Sequence, residues 1–116
     1  MTPVPEFPGR LEAFFTDRLI HQRRASPHTI GGSRAAFRLL LEFARQRLKK
    51  EPSRLAIEDL DAPRIGAFLD HLAKERGNRA RTRNVRLAAL HSFFRYLALQ
   101  EPAHSAVIQR VLAMPS

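Results

Sequence analysis

The sequence predicts an all-α bundle of four or five helices. Three observations carry that expectation. Apolar residues recur at three- and four-residue spacing along most of the chain, no segment alternates apolar and polar residues for long, and Pro, Asp and Gly fall where helices begin and end. The 116 residues suit one domain, because single domains cluster around roughly 100–150 residues. With 44% apolar residues and eight Phe, the chain can bury a core of its own. It contains no Cys, so that core has to supply the stability that disulfides or a Cys-based zinc site supply elsewhere.

Pro3, Pro5 and Pro8 make residues 1–9 an extended proline-rich arm, since each fixes its own φ and biases its predecessor away from helix. From Arg10 a first helix follows, with Leu11, Phe14, Phe15 and Leu19 on one stripe and an end near Arg23 and Arg24. Ser26-Pro27-His28-Thr29 is a helix-start signal: a hydroxyl can accept from first-turn amides, and proline fits the first turn. The second helix is expected from about Thr29 to Leu48, burying Ala36, Phe37, Leu40, Phe43, Ala44 and Leu48, and Lys49-Lys50-Glu51-Pro52 ends it.

Asp61 reads as the N-cap of a third helix, with Pro63 in its first turn, Ile65, Phe68, Leu69 and Leu72 as its buried stripe, and Gly77 as its left-handed stop. A fourth helix runs from about Ala80 to Leu99 on the stripe Leu87, Leu90, Phe94 and Leu97. Glu101-Pro102 closes it, and Ser105 to Met114 form a short fifth helix with Val107, Ile108, Val111 and Leu112 apolar. There is no internal repeat and no low-complexity tract.

Twenty Lys and Arg against 11 Asp and Glu leave a formal charge of +9, carried mostly by arginine, whose planar fork suits phosphate and guanine edges. No apolar run approaches the ~18 residues of a membrane span, and the first residues lack the features of a secretory signal, so a soluble cytoplasmic or nucleoid-associated protein is expected. The charge shares faces. On the second helix Arg34, Arg38 and Arg45 fall within about 40° of one another at 100° per residue, beside the core stripe. On the fourth, Arg81, Asn84, Ala88, His91, Ser92 and Arg95 are expected opposite Leu87, Leu90 and Phe94. The stretch Arg79, Arg81, Thr82, Arg83 and Asn84 puts the densest positive cluster at that helix's start, where phosphate is already favoured.

An amphipathic helix always has a polar back, but two helices with aligned arginines and a net charge of +9 point to a nucleic acid as partner, and an α-helix fits the major groove of double-stranded DNA. Gly31-Gly32 lies near the start of the second helix, where each glycine costs about 1 kcal/mol in a helix interior. A later start or a frayed first turn is favoured there over a site of close approach to DNA.

In their order and spacing these pieces resemble a known family. Ser26-Pro27-His28-Thr29, the helix with Phe37, Leu40 and Phe43, then Leu60-Asp61-Ala62-Pro63-Arg64-Ile65 with Phe68, Leu69 and Leu72, then Arg79 to Asn84 leading into Leu87 to Leu97, look like the N-terminal core-binding domain of Xer-type tyrosine recombinases and phage integrases. The resemblance covers about residues 10 to 114. It implies a SAM-like orthogonal bundle of four or five helices, forming half of a clamp around a recombination half-site. It also implies DNA contact by the second and fourth helices, through Arg34 and Arg38 on one and Arg81, Thr82, Asn84, His91 and Arg95 on the other. His91 stands where many members have arginine.

The family's chemistry resides in a separate C-terminal domain, so the resemblance implies a chain that grips DNA without cutting it, within a full-length tyrosine recombinase. Other recombinase protomers are the implied further partners, with a monomer expected in the absence of DNA. No catalytic residue is expected here. Tyr96 matches a packing aromatic of the family, and His21-Gln22-Arg23-Arg24 is a chance His-x-x-Arg. The histidines at 21, 28, 71, 91 and 104 form no i, i+4 pair and have no cysteines to join, so neither metal nor cofactor is expected. Glu58, Asp59 and Asp61 are the one acidic cluster, and Asp61 is better read as a cap than as half of an acid/base pair.

Two other readings compete. A SAM-like protein interaction module would use the apolar Val107-Ile108 and Val111-Leu112 pairs as a docking surface. A helix-turn-helix repressor would need a three- or four-residue turn before its recognition helix, and the connections between helices are expected to be longer.

Overall fold

The computed structural model describes residues 7–16, 27–77 and 80–115. Among these the chain is all-α, with five helices and no strand: α1 (Phe7–Ala13), α2 (Pro27–Leu48), α3 (Ala62–Arg76), α4 (Ala80–Gln100) and α5 (Ser105–Leu112). Short 3-10 turns occupy Pro52–Arg54, Ile57–Leu60 and Pro102–His104. The chain divides into two compact units, Met1–Ile57 and Glu58–Ser116.

In the first unit, α1 already begins at Phe7, three residues before the expected start, and runs into a π-type turn over residues 14–16. Pro8 fits because the first turn of a helix has no use for its missing N–H. The expected arm therefore loses residues 7–9 to α1; its remainder, the continuation of the first helix through Leu19 and the Ser26 cap lie outside the described residues. Phe14, Phe15 and Phe37 meet edge to face, with ring centroids 5.6, 6.5 and 5.9 Å apart pairwise, so the electropositive edge of one ring faces the π cloud of the next. Leu11, Ala36, Leu40, Phe43, Ala44, Leu55 and Ile57 are buried with them. Leu55 and Ile57 lie in the connection after α2, where helical periodicity gives no signal.

α2 is a continuous helix from Pro27, through Gly31 and Gly32, to Leu48, which corrects the expectation of a later or frayed start. Both glycines are exposed, and a Cβ at either would meet nothing within 4 Å. The buried face of the following turns outweighs a local cost of about 1 kcal/mol per glycine. Substituting Ala at each position is expected to raise stability by about 1 kcal/mol apiece, read as a shift of the urea midpoint at constant slope. A lower midpoint in both variants would contradict the continuous helix. Lys49 closes α2 in the left-handed region at φ 58°, donating its N–H to the Arg45 carbonyl at 3.0 Å.

The second unit follows the sequence in its caps and buried stripes, with one correction: only residues 77–79 separate α3 from α4, so the expectation that every connection exceeds the three- or four-residue turn of a helix-turn-helix fails here. The Asp61 carboxylate accepts from the Arg64 N–H at 3.0 Å, Pro63 occupies the first turn of α3, and Gly77 ends it at φ 60°. Ile65, Phe68, Leu69 and Leu72 are its buried residues. α4 buries Leu87, Leu90, His91, Phe93, Phe94, Tyr96 and Leu97, an arc of roughly 220° at 100° per residue. α5 packs along α4 and α3, burying Ile108 and Val111 completely. Burying side chains of this size contributes about 1.5–3 kcal/mol each, which lets helices of 8 to 21 residues persist where isolated ones are marginal.

Candidate nucleic-acid interface

On α2, Arg34, Arg38 and Arg45 are all exposed, and all three line one groove of about 350 Å³ in the first unit. Leu11, Phe15, Phe37 and Leu41 supply its apolar part. The Arg34 guanidinium lies 4.5 Å from the centroid of the Phe15 ring, so its fork is held by a cation–π contact while its edge stays exposed to solvent. Glu12 and Glu42 line the same groove, so three arginines there face two carboxylates. Arg45 also borders a second groove at the end of the helix, with Gln46, Lys49, Lys50 and Glu51. Arg47 covers the Phe43 ring at 4.8 Å, a contact that anchors its stem to the core.

α4 differs in charge. Its 21 residues contain Arg81, Arg83, Arg86 and Arg95 and no Asp or Glu at all. Because so much of its circumference is buried, a strip only about 80° wide remains, formed by Arg81, Val85, Ala88, Ser92, Arg95 and Leu99. Arg81 and Arg95 are exposed, whereas Thr82, Arg83 and Asn84 are half-buried at the first turns. Arg79 lies outside the described residues. Arg86, which the sequence reading did not single out, is half-buried; desolvation and the charge of Arg76 both push its pKa below the usual arginine range.

His91 is the clear correction. It is 9% exposed, not part of the polar strip, and its Nε2–H donates to the Val111 carbonyl of α5 at 2.9 Å. Since a carbonyl only accepts, this bond selects the neutral tautomer with the proton on Nε2. Burial pushes its pKa below 6.5, outweighing the hydrogen bond, which favours the charged form; Arg95 adds to the depression. The expected placement opposite Leu87, Leu90 and Phe94 fails because residue 91 is four after Leu87 and three before Phe94, on their side of the wheel.

The remaining titratable residues carry other duties. Tyr96 is buried in the core of α4. His104 pairs through Nδ1 with the Glu58 carboxylate, and its Nε2 lies 4.0 Å from Glu101. Among the described residues no group of three His, Asp or Glu side chains could hold a metal ion, and no helix is long and apolar enough to cross a membrane.

The described residues thus form five helices, among them a capped α3 and an acid-free α4, with no strand. The chain belongs to the family described as phage integrase, N-terminal SAM-like domain, which matches residues 12–101. It is similar to two proteins of Sinorhizobium fredii (strain NBRC 101917 / NGR234) named "Putative integrase/recombinase" y4rC and y4rD. Identity to the first is 60% over 116 residues, all of this chain and 35% of that relative; to the second it is 49% over 105 residues, 90% of this chain and 37% of that relative. The chain thus spans about a third of the length of the curated relatives it matches. No solved structure matches it.

Proposed function

We propose that this chain binds double-stranded DNA at a recombination half-site, as the N-terminal, DNA-gripping part of a site-specific tyrosine recombinase. The observation that carries the reading is the acid-free α4, whose exposed strip begins with Arg81 and bears Arg95 fourteen residues on. A helix of this width fits the major groove, where arginine forks reach phosphates and guanine edges and no carboxylate opposes them. The exposed Arg34, Arg38 and Arg45 of α2 add a second set of phosphate contacts. Membership of the integrase family and the names of its relatives support the recombination context. Strand cleavage then belongs to residues other than those of this domain, and further recombinase protomers are its partners on DNA.

Counterion release tests the reading. If Arg34, Arg38, Arg45, Arg81 and Arg95 each neutralise one phosphate, log K falls against log salt with a slope of about −4.5. A slope near zero, or no binding to any duplex at low salt, would sink the proposal. The interaction-module reading has less to rest on, because Ile108 and Val111 are fully buried and Val107 and Leu112 half-buried, which leaves α5 little unburied apolar surface.

A further inference from the structure

The exposed strip of α4 contains an anomaly. Val85 is 64% exposed, although a β-branched residue in a helix loses side-chain freedom and here recovers little of that cost by burial. Arg81 stands one turn before it, half-buried Asn84 beside it and the small Ala88 next along the strip, so a partner's surface can come close to the isopropyl group. The partner must tolerate the exposed Arg81 and Arg95 on the same strip, with no carboxylate anywhere on the helix, which selects a polyanion and disfavours an apolar protein groove. Leu99, the other exposed large apolar residue of α4 at 68%, lies about 21 Å further on, at 1.5 Å per residue, and close to Glu101, where phosphate is repelled. In the major groove one group is apolar, the C5-methyl of thymine.

We propose that Val85 is a specificity-determining residue that packs against a thymine C5-methyl, while Arg81 and Arg95 set the helix on the phosphates. The inference rests on the reading of α4 as a duplex-binding helix, and goes beyond it by naming the base and the atom read. Selecting duplexes from a randomised pool with the 116-residue chain identifies its preferred sites; each thymine in a selected duplex is then replaced by deoxyuridine, which removes only the methyl group. One such replacement is expected to weaken binding about four-fold, the factor that burying one methyl group supplies. Val85→Ala, which stays folded because alanine favours a helix and the site is exposed, is expected to lose that sensitivity and bind both duplexes alike. Binding without sequence preference, indifference of the unmodified chain to every deoxyuridine, or unchanged sensitivity in Val85→Ala would each overturn the inference and leave duplex binding standing. Failure to enrich any duplex at low salt would overturn both.

Discussion

Replacing Arg81 and Arg95 together by Glu is expected to lower duplex affinity by roughly a hundred- to ten-thousand-fold. The magnitude follows from losing two charge-assisted phosphate contacts of about 1.5–3 kcal/mol each, at about 1.4 kcal/mol per factor of ten. Both residues are exposed on the strip that α4 leaves uncovered, so the change removes no buried partner and the helix content measured by circular dichroism should hold. The informative control is Arg54→Glu with Arg110→Glu, two exposed positions on neither α2 nor α4. Each Arg→Glu change subtracts two charges, so both double variants fall from +9 to +5. If net charge alone governed binding, the two would weaken it equally; if α4 is the interface, the control retains most of the affinity and most of the salt slope. Equal loss in both would refute the assignment of α4 while leaving a general affinity for polyanions.

What was legible in the sequence is what local chemistry decides. Asp61, Pro63 and Gly77 act within one turn of their own positions, and the structure shows the cap, the first-turn proline and the left-handed stop at those residues. The arginine row of α2 was legible for the same reason, since Arg34, Arg38 and Arg45 need only helical geometry to align. What was illegible depends on partners distant in the chain. The Phe15 ring under Arg34 comes from another helical segment, and the acceptor for His91 is 20 residues away. Gly31 and Gly32 mislead in the opposite sense, because a propensity cost read locally is overridden by the burial of Phe37, Leu40 and Phe43 further along α2. Arg83 shows the limit of reading by residue type: it stands in the densest basic stretch, yet its position on the wheel turns it toward the buried side, and it is half-buried.

The burial of His91 makes stability depend on pH in a direction its structure dictates. Its folded pKa lies below the unfolded value of 6.5, so above pH 6.5 both states are neutral and the contribution is fully present. As pH falls through 6.5 the unfolded chain takes up a proton that the folded one refuses, and stability is lost progressively until the folded pKa is reached. His91→Gln keeps a donor for the Val111 carbonyl and removes the titration, so the difference between the two proteins in urea midpoint should open as pH drops from 7.5 to 5.5. Parallel profiles would contradict the buried neutral imidazole. His91→Ala is expected to cost about 2–3 kcal/mol at pH 7.5, from one hydrogen bond and the space left by the ring. The cost stays below that of orphaning a carbonyl, because Val111 also accepts from the Met114 N–H at 3.1 Å. Arg95→Glu removes a positive charge that holds the His91 pKa down, so in that variant the onset of acid destabilisation moves to lower stability loss at a given pH. The same arginine therefore serves two measurements, one on DNA and one on folding, and only the first should respond when Arg81 is changed alone.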